Sequence, residues 1–401
     1  MRYVYTDHAS TTPLNPEVKE AMLPFLAEEN GFGNPSSFHT LGKEAKDAVE
    51  KSRQTIADLL SARPDEILFP SGGTESDNMA VLGIARQYKE QGHHLITSTI
   101  EHQAILEPMT FLEKKEGFEV TRVSVNHDGL IDPEQVEAAI QKNTTLISLM
   151  TANNEIGTIE PIEEIGNLIQ KKRQEQKSPF PFFHSDACQA SGVINLSVEK
   201  LHVDLLTINA SKIYGPKGVG ALYIKRGIKL QPLQFGGSQE RSLRPGTENV
   251  AAIVGLAKAL EMAQKKKEKE NARLIPLRDK LIKGIMETIP KTRLNGHVSK
   301  RLPNNVNISF MDIEGEALIL YLDAAGIYAS TGSACTSASL DPSHVILALG
   351  MPYEVAHGSL RFTLGKSTTE ADIDYILETL PPLVKKLRAI SPVCVDEKYF
   401  R

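Results

Sequence analysis

Residues 203–218 read VDLLTINASKIYGPKG. The apolar run from Val203 to Ile208 predicts a short buried strand, and the Gly- and Pro-rich stretch that ends the segment predicts a turn. Lys212 stands between the two, so we expect its amine to project from rigid backbone into a crevice lined by loops. An amine that is desolvated or close to another cation can do covalent carbonyl chemistry. Taken alone, however, Lys212 is more simply a solvated loop lysine.

The same pattern recurs through the first 250 residues, where short apolar runs alternate with longer amphipathic ones. Strands are predicted at 66–69, 94–98, 118–125, 145–150, 180–185, 203–208 and 220–224. Helices are predicted from residue 16, over 41–60, from 71–77 to about 91, and over 103–115, 132–142 and 161–174. Strands that alternate with helices indicate an α/β fold with a mostly parallel sheet covered on both faces. Ligands of such folds bind outside the carboxyl ends of the strands.

The pattern changes after about residue 250. A long helix is predicted from 250 to about 290, followed by strands at 306–310 and 360–363 and helices at 316–325 and 369–388. This mixture predicts a smaller α+β domain. A chain of 401 residues is longer than one hydrophobic core usually serves. We therefore expect a large domain at 16–255 and a small one formed by 1–15 and 256–401.

Composition narrows the classes of partner and the compartment. The net charge of −5 and the 24% of charged residues predict no direct binding of nucleic acid or of an anionic membrane. Three cysteines form neither a disulfide framework nor a zinc pattern, which suits a reducing compartment. We find no signal-peptide pattern and no apolar run long enough to span a bilayer. The cytoplasm is the expected location.

Several polar groups follow directly after predicted strands. Residues 71–74 (SGGT) place two glycines and a hydroxyl at the start of a helix, where free backbone N–H groups and the helix dipole attract anions. The alternative is a plain helix cap, with Thr74 at the N-cap position and Asp77 three residues on, as in a capping box. In isolation the cap is the better interpretation.

Asp186 and His102 also stand at strand ends. A carboxylate at the position of Asp186 could keep a pyridine nitrogen protonated, and the alternative is another N-cap. The ring of His102 could lie on a flat cofactor, although a surface histidine is the commoner case. The most economical use of Lys212 beside such groups is a Schiff base with pyridoxal 5′-phosphate (PLP), the electron-sink cofactor of amino-acid chemistry.

The second half of the chain offers a thiol and a cation. Residues 332–339 (GSACTSAS) surround Cys335 with small residues, which give a nucleophilic thiol access and motion. Arg361 could hold a carboxylate in bidentate fashion, or form a structural ion pair. The loops at 153–157 and 244–248 offer amides, a cation and a hydroxyl, and each could equally be an ordinary turn.

Taken together and in order, these residues resemble the cysteine desulfurases, a family within the class V PLP-dependent aminotransferases. The likeness runs nearly end to end and includes residues 7–13, 33–37, 71–78, 153–157, 185–189, 212–218, 244–247 and 332–339. The Ser-Ala-Cys-Thr-Ser form at 333–337 resembles the subgroup with a longer mobile loop. The resemblance implies PLP fold type I. This fold has a large domain with a mostly parallel seven-stranded sheet flanked by helices, and a smaller α+β domain that carries the cysteine loop.

The resemblance also implies roles for single residues. The residues implied to be catalytic are Cys335 as nucleophile, Lys212 as Schiff-base lysine and proton carrier, and His102 as a stacking group and acid or base. Those implied to bind the cofactor are Gly73, Thr74, His102, Asn154, Asp186, Gln189, Asn209, Ser211, Lys212 and Thr247, the last reaching in from a second subunit. Asn154 and Arg361 are implied to hold the substrate carboxylate. Asn209 and Ser211 replace a serine and a histidine common in the family, but their amide and hydroxyl can still donate to phosphate.

The implied reaction takes sulfur from L-cysteine, releases L-alanine and leaves a persulfide on Cys335. The implied partners are a second copy of the chain and a sulfur acceptor, such as an iron–sulfur scaffold protein or a carrier for tRNA thiolation. No resident metal is implied, although Cys335 is a candidate transient ligand of an iron–sulfur cluster. Two alternatives share the fold, a selenocysteine lyase and another class V aminotransferase. A third is an inactive sulfur-transfer scaffold, which the presence of Lys212, Asp186 and Cys335 argues against.

Overall fold

A computed structural model describes residues 2–26, 31–332, 341–392 and 394–399 of the chain. Numbered in chain order, the strands of these residues are β1 (Val4–Tyr5), β2 (Ile67–Leu68), β3 (His94–Ser98), β4 (Glu119–Val123), β5 (Thr144–Ser148), β6 (Phe182–Asp186), β7 (Leu205–Asn209), β8 (Gly220–Ile224), β9 (Thr292–Leu294), β10 (Asn305–Phe310), β11 (Ile327–Tyr328) and β12 (Ser359–Thr363). The α-helices are α1 (Pro16–Met22), α2 (Thr40–Leu60), α3 (Gly73–Gln87), α4 (Gln103–Phe111), α5 (Pro133–Ala139), α6 (Ile162–Gln176), α7 (Val198–Leu201), α8 (Val250–Thr288), α9 (Gly315–Ala324), α10 (His344–Ala348), α11 (Tyr353–His357) and α12 (Glu370–Arg388).

The central sheet has seven strands in the order β2-β8-β7-β6-β5-β3-β4. The pairs β3/β4, β3/β5, β5/β6 and β6/β7 are parallel. Only β8 runs against its neighbours β7 and β2. The predicted α/β fold with a mostly parallel seven-stranded sheet is therefore confirmed.

Both faces of the central sheet are covered because neighbouring strand residues point to opposite sides. Leu146 and Leu205 pack on one face with the apolar residues of α3 and α4. The next residues along the same strands, Ile147 and Leu206, pack on the other face with α2, α6 and the first turns of α8. Strands buried on both faces appear in the sequence as continuous apolar runs, which is why the sequence alone predicted them.

A second, smaller sheet is antiparallel and has the order β12-β10-β9. Its core is completed by α9, α12 and the second half of α8. The 39-residue helix α8 joins the two cores, since Leu256 and Leu260 belong to the first and Leu281 and Ile285 to the second. The predicted limit at residue 255 falls inside this helix, and the domain limits stay a prediction.

Some predicted elements differ from the structure at their ends. The helix predicted over 103–115 is α-helical only to Phe111 and continues as a π turn over Leu112–Glu116. The helix predicted over 132–142 is shorter, Pro133–Ala139. Strands β1, β9 and β11 were not predicted, because two or three residues are too few to show a period of two.

Candidate active site

A cavity of about 260 Å³ lies at the carboxyl edge of the central sheet, where β6 ends at Asp186 and β7 at Asn209. It lies where ligands of parallel α/β sheets are expected. The residues that line it are Ala9, Ser10, Gly73, Thr74, Asp77, His102, Met150, Ala152, Asn154, Asp186, Cys188, Gln189, Asn209, Lys212, Gly332 and Arg361. Nine of the predicted site residues are in this set, drawn from both halves of the chain.

Lys212 is held by backbone carbonyls of the amino-terminal segment. Its Nζ donates to the carbonyl oxygens of Ala9 (2.8 Å) and Ser10 (2.6 Å). The segment is fixed there by Thr12, whose N–H and hydroxyl both donate to the carbonyl of Ser211 at 2.8 and 2.9 Å. The amine is therefore positioned from both sides, by its own turn and by residues two hundred positions away in sequence.

Gln189 meets the same segment. Its Nε2 donates to the carbonyl oxygen of Ala9 at 3.0 Å, next to the hydrogen bond from Lys212. The side chain also lines the cavity. The expected hydrogen bond from Gln189 to a ring oxygen of the cofactor stays a prediction.

The start of α3 offers unfilled N–H groups to the cavity. Its N-cap residue is Gly72, and among the described residues no side chain accepts a hydrogen bond from the backbone N–H groups of the first turn. The alternative of a capping box with Thr74 at the N-cap position is therefore wrong, because Thr74 is already inside the helix. Gly72 has φ +154°, which only glycine adopts readily, and this turn directs the N-terminus of α3 at the cavity.

Gly73, the first residue of α3, is closely packed against its neighbours. A Cβ atom on Gly73 would lie 2.8 Å from the Cys188 Sγ and 3.6 Å from the Asn209 Nδ2. Asn209 uses its Oδ1 to accept from the N–H and hydroxyl of Ser211, both at 3.2 Å, so its Nδ2 is the group left to donate. Ser211 itself does not line the cavity and acts on it through Asn209.

Asp186 ends β6 with its side chain in the cavity. Its Oδ1 accepts from the backbone N–H of Cys188 at 2.8 Å. No described helix starts at this point, so the alternative of an N-cap for Asp186 is wrong. Burial, followed by the charge of Asp186, raises the pKa of the Cys188 thiol well above its ordinary value. Cys188 is therefore a neutral thiol packed between Asp186 and Gly73.

His102 lines the cavity and is the N-cap residue of α4, not an isolated surface histidine. Its Nδ1 accepts from the backbone N–H of Ala104 at 3.1 Å. In the neutral ring the proton is therefore on Nε2. The imidazole is held in one orientation by its own helix.

Arg361 enters the cavity from β12, in the small sheet. Its Nη2 donates to Asp7 Oδ1 (2.9 Å) and Ser10 Oγ (2.8 Å), and its Nη1 donates to the carbonyl of Asn154 (2.8 Å). The structural ion pair considered from the sequence is thus present, with Asp7. Its Nε is buried and has no hydrogen-bond partner among the described residues. The three hydrogen bonds use three of the five N–H groups of the guanidinium, which leaves one on Nη1 and one on Nε for a ligand.

Besides Ser211, one predicted site residue of the described ranges does not line the cavity. Thr247 is exposed and does not line the cavity. The ion pair of Arg244 with Glu75, at 3.2 Å, holds its loop against the first turn of α3. Cys335 lies outside the described residues, between Gly332, which lines the cavity, and Ser343.

The sequence prediction missed some of the lining residues. Ala9 and Ser10 act through their carbonyl oxygens, which carry no sequence signal. Asp77 could have been found, because it follows Gly73 by one helical turn and so shares its face of α3. Cys188 also lines the cavity.

Comparisons with known proteins show the family of this chain. The class V aminotransferase family model matches residues 4–376. The cysteine desulfurase IscS of Dictyoglomus turgidum is 52% identical over 391 residues, which cover 98% of this chain and 97% of the relative. The chain belongs to the cysteine desulfurase family. The cysteine desulfurase IscS of Methanosarcina thermophila is 51% identical over 98% of this chain and 95% of its own.

Solved structures of cysteine desulfurase-like proteins show the same fold. A NifS-like protein superposes with a TM-score of 0.89 at 37% identity, over 96% of this chain and 100% of its own. SspA, solved in complex with cysteine, has a TM-score of 0.75 at 36% identity, over 90% and 98%. The family resemblance read from the sequence is confirmed.

Cysteine desulfurases depend on PLP, and the residues of the cavity fit this cofactor. The uncapped first turn of α3 and the Nδ2 of Asn209 suit a phosphate. The Asp186 carboxylate suits a protonated pyridine nitrogen, and the Lys212 amine suits the aldehyde.

Within the described ranges, no group of three or more metal-ligating side chains is placed to hold a metal ion. No helix in those ranges has the length and apolar character needed to cross a bilayer.

Proposed function

We propose that this cysteine desulfurase removes the sulfur of L-cysteine, releases L-alanine and keeps the sulfur as a persulfide on Cys335, with PLP as its cofactor. The strongest support is that one cavity combines the Lys212 amine, the Asp186 carboxylate and the uncapped start of α3. SspA, which is 36% identical, was solved with cysteine bound, and this favours the same substrate.

Each residue proposed to hold the cofactor is matched to one chemical group of PLP. Lys212 would hold its aldehyde carbon, Asp186 its ring nitrogen, and His102 its ring face. Gly73, Thr74 and Asn209 would hold the phosphate, with Ser211 orienting Asn209. When bound, PLP withdraws electrons from the amino acid, which acidifies the Cα proton and weakens the bond to sulfur.

The substrate would be oriented by its carboxylate. Arg361 is fixed by Asp7, Ser10 and Asn154, so its position in the cavity is set before substrate arrives. The unpaired Nε offers a charge-assisted hydrogen bond, and Asn154 lines the cavity beside it. Fixing the carboxylate directs the Cα hydrogen of L-cysteine toward Lys212, whose amine takes and returns that proton.

The sulfur transfer balances without an external oxidant or reductant. The Cys335 thiolate attacks the substrate sulfur, a sulfur–sulfur bond forms, and the carbon–sulfur bond breaks with its electron pair remaining on carbon. Protonation of that carbon gives L-alanine, and Cys335 carries one extra sulfur. A thiol of the acceptor then attacks the outer sulfur of the persulfide, takes that sulfur and releases the Cys335 thiol. We propose that the acceptor is a protein of iron–sulfur cluster assembly or tRNA thiolation.

The test uses the PLP-loaded protein with L-cysteine. Peptide mass spectrometry should show one added sulfur at Cys335, and alanine should appear in step with it. Cys335→Ser should lower alanine release by on the order of 10³-fold or more and still give the spectral change of cysteine binding. Cys394→Ser is the matched control, because Cys394 is exposed and does not line the cavity.

Two outcomes would contradict the proposal. Full turnover by Cys335→Ser would remove Cys335 from the mechanism and favour a lyase that releases its product directly. Turnover of L-selenocysteine alone, with none of L-cysteine, would favour the selenocysteine lyase instead.

We also propose that the active form is a homodimer in which Thr247 completes the site of the partner. On the described surface Phe38 is 93% exposed, Phe235 85% and Phe32 58%. The segments around Phe38 and Phe235 border one surface cavity of about 560 Å³. Large exposed aromatic side chains on segments that meet at one surface cavity suit a protein interface. The exposed Thr247, which does not reach its own cavity, lies in the same loop region.

A further inference from the structure

A second carboxyl group, Asp77, lies in the same cavity as Asp186. It stands on the second turn of α3, its side chain is 2% exposed, and it lines the cavity. Its Oδ1 is buried and has no hydrogen-bond partner among the described residues. An ionised carboxylate with one oxygen in that state is costly, because neither a cation nor a donor replaces the hydration that this oxygen has lost.

The groups that face Asp77 do not neutralise it. Nearest is His184 on β6, whose Nε2 is 3.7 Å from Asp77 Oδ1. His184 is completely buried, and burial lowers its pKa to about 4. Its ring nitrogens contact Ser148 Oγ (2.8 Å) and Thr207 Oγ1 (3.0 Å). At neutral pH His184 is therefore uncharged and supplies no cation.

The other titratable groups around Asp77 are two acids, a thiol and an amine. Asp186, at the end of β6, and Glu101, after β3, are carboxyl groups that disfavour a charge on Asp77. Cys188 contributes a neutral thiol. Lys212 donates to the Ala9 and Ser10 carbonyls.

Two carboxyl groups that line one cavity repel each other when both are ionised, which favours a proton on one of them. Burial, and then the charge of Asp186, raises the pKa of Asp77 well above its ordinary value, although Thr207 donates to it. Asp186 is placed differently, since the backbone N–H of Cys188 donates to its Oδ1 at 2.8 Å.

We propose that Asp77 is a positioning residue that stays protonated beneath the cavity, so that Asp186 alone carries the negative charge there. This inference rests on the proposed function for its purpose, which is to aim one charge at the ring nitrogen of the cofactor. If Asp77 is neutral, the negative charge of the two carboxyl groups lies wholly on Asp186. The neutral state itself depends only on the apoprotein and can be tested without catalysis.

The direct test is infrared spectroscopy of the apoprotein labelled with ¹³C-aspartate, at pH 7. The label separates aspartate from Glu101 and Glu160, which are also buried and whose pKa values burial raises to about 8. The carbonyl stretch of one protonated aspartic acid should appear in the wild type. It should vanish in Asp77→Asn and persist in Asp186→Asn.

The second test is the pH dependence of urea unfolding of the apoprotein. Because the folded pKa of Asp77 lies above its unfolded value of about 3.9, folding takes up a proton. Stability is therefore lost as the pH rises above that unfolded value, up to the folded pKa. Asp77→Asn should remove part of this loss, which raises the unfolding midpoint at pH 8 relative to pH 5.

Glu101→Gln is the matched control. It should also reduce the loss of stability with pH, since Glu101 is a fully buried carboxyl group with a raised pKa. It does not line the cavity, so the labelled aspartic acid band should be unchanged.

Asp77→Asn should change PLP affinity at pH 7 by less than about threefold, whereas Asp186→Asn should lower it by about tenfold or more.

The outcomes separate the two hypotheses. A protonated band that is absent from the wild type, or that persists in Asp77→Asn, would overturn the proposal for Asp77. Equal losses of PLP affinity in Asp77→Asn and Asp186→Asn would do the same. An unchanged PLP affinity in Asp186→Asn would instead overturn the cofactor assignment and leave the infrared result to decide on Asp77. If Asp77→Asn does not fold, the wild-type band and its loss or persistence in Asp186→Asn still decide where the proton lies.

Discussion

Three consecutive residues after Gln239 hold left-handed backbone although none is glycine. Glu240, Arg241 and Ser242 have φ angles of +43°, +59° and +62°. Glu240 is tied down by Arg53, at 2.6 and 3.1 Å, and by the backbone N–H of Phe69 at 3.0 Å. This buried ion pair holds the turn in a conformation that side chains disfavour.

Ser242→Gly should therefore stabilise the protein by about 0.5–1 kcal/mol, because it removes a Cβ from left-handed backbone. Ser242 is exposed, and no hydrogen bond of its side chain is lost among the described residues. Thermal unfolding of the apoprotein measures the change. Ser238→Gly, at φ −85°, is the control and should lower the midpoint, because glycine there only adds freedom to the unfolded chain.

At the residue scale, side chains at strand ends could be predicted and backbone contacts could not. Lys212 and Asp186 follow apolar runs, and that position alone predicted them in a crevice. The carbonyls of Ala9 and Ser10, which hold Lys212, carry no residue type that marks them. The strained turn was also missed, since the sequence at 240–242 contains no glycine.

At the scale of elements, the start of α3 is where local sequence misled most. Thr74 and Asp77 have the spacing of a capping box, and local rules favour it. The structure begins the helix one residue before Thr74 because Gly72 turns the chain there and Gly73 fits against Cys188. That contact comes from a segment more than a hundred residues away, so local rules could not include it.

Gly73→Ala should lower PLP affinity by about tenfold, or about 1.4 kcal/mol. The added Cβ would lie 2.8 Å from the Cys188 Sγ, so the start of α3 or Cys188 must shift. Spectroscopic titration of the apoprotein with PLP measures the loss. Cys188→Ala should have little effect alone and should restore most of the affinity in the double variant. Equal losses in the single and double variants would show that the contact with Cys188 is not the cause.

At the scale of the whole molecule, the seven-stranded sheet could be predicted because each strand is a separate apolar run. The joining of two cores by α8 could not, since its 39 residues carry one continuous helical pattern. Nor does periodicity indicate which aromatic side chains are left exposed. Phe38 and Phe235 are far apart in sequence, and only the fold brings the segments next to them to one surface cavity.

The proposed homodimer should therefore depend on the exposed side chains of Phe38 and Phe235. Phe38→Asp replaces the more exposed of these rings with a charge and should shift the protein from dimer to monomer in sedimentation velocity, with loss of activity. Leu320→Asp is the matched control. Leu320 is 71% exposed on α9, away from the segments around Phe38 and Phe235, and its replacement should leave the dimer intact.

Shared sites should also allow two inactive variants to rescue each other. In a dimer of Lys212→Ala with Thr247→Ala, one site would combine the intact Lys212 of one subunit with the intact Thr247 of the other. If the subunits exchange at random, half of the dimers are mixed and each has one complete site of two, so activity should return to about a quarter of wild type. No recovery on mixing would show that Thr247 serves its own subunit, and an active Phe38→Asp monomer would show that one chain is sufficient.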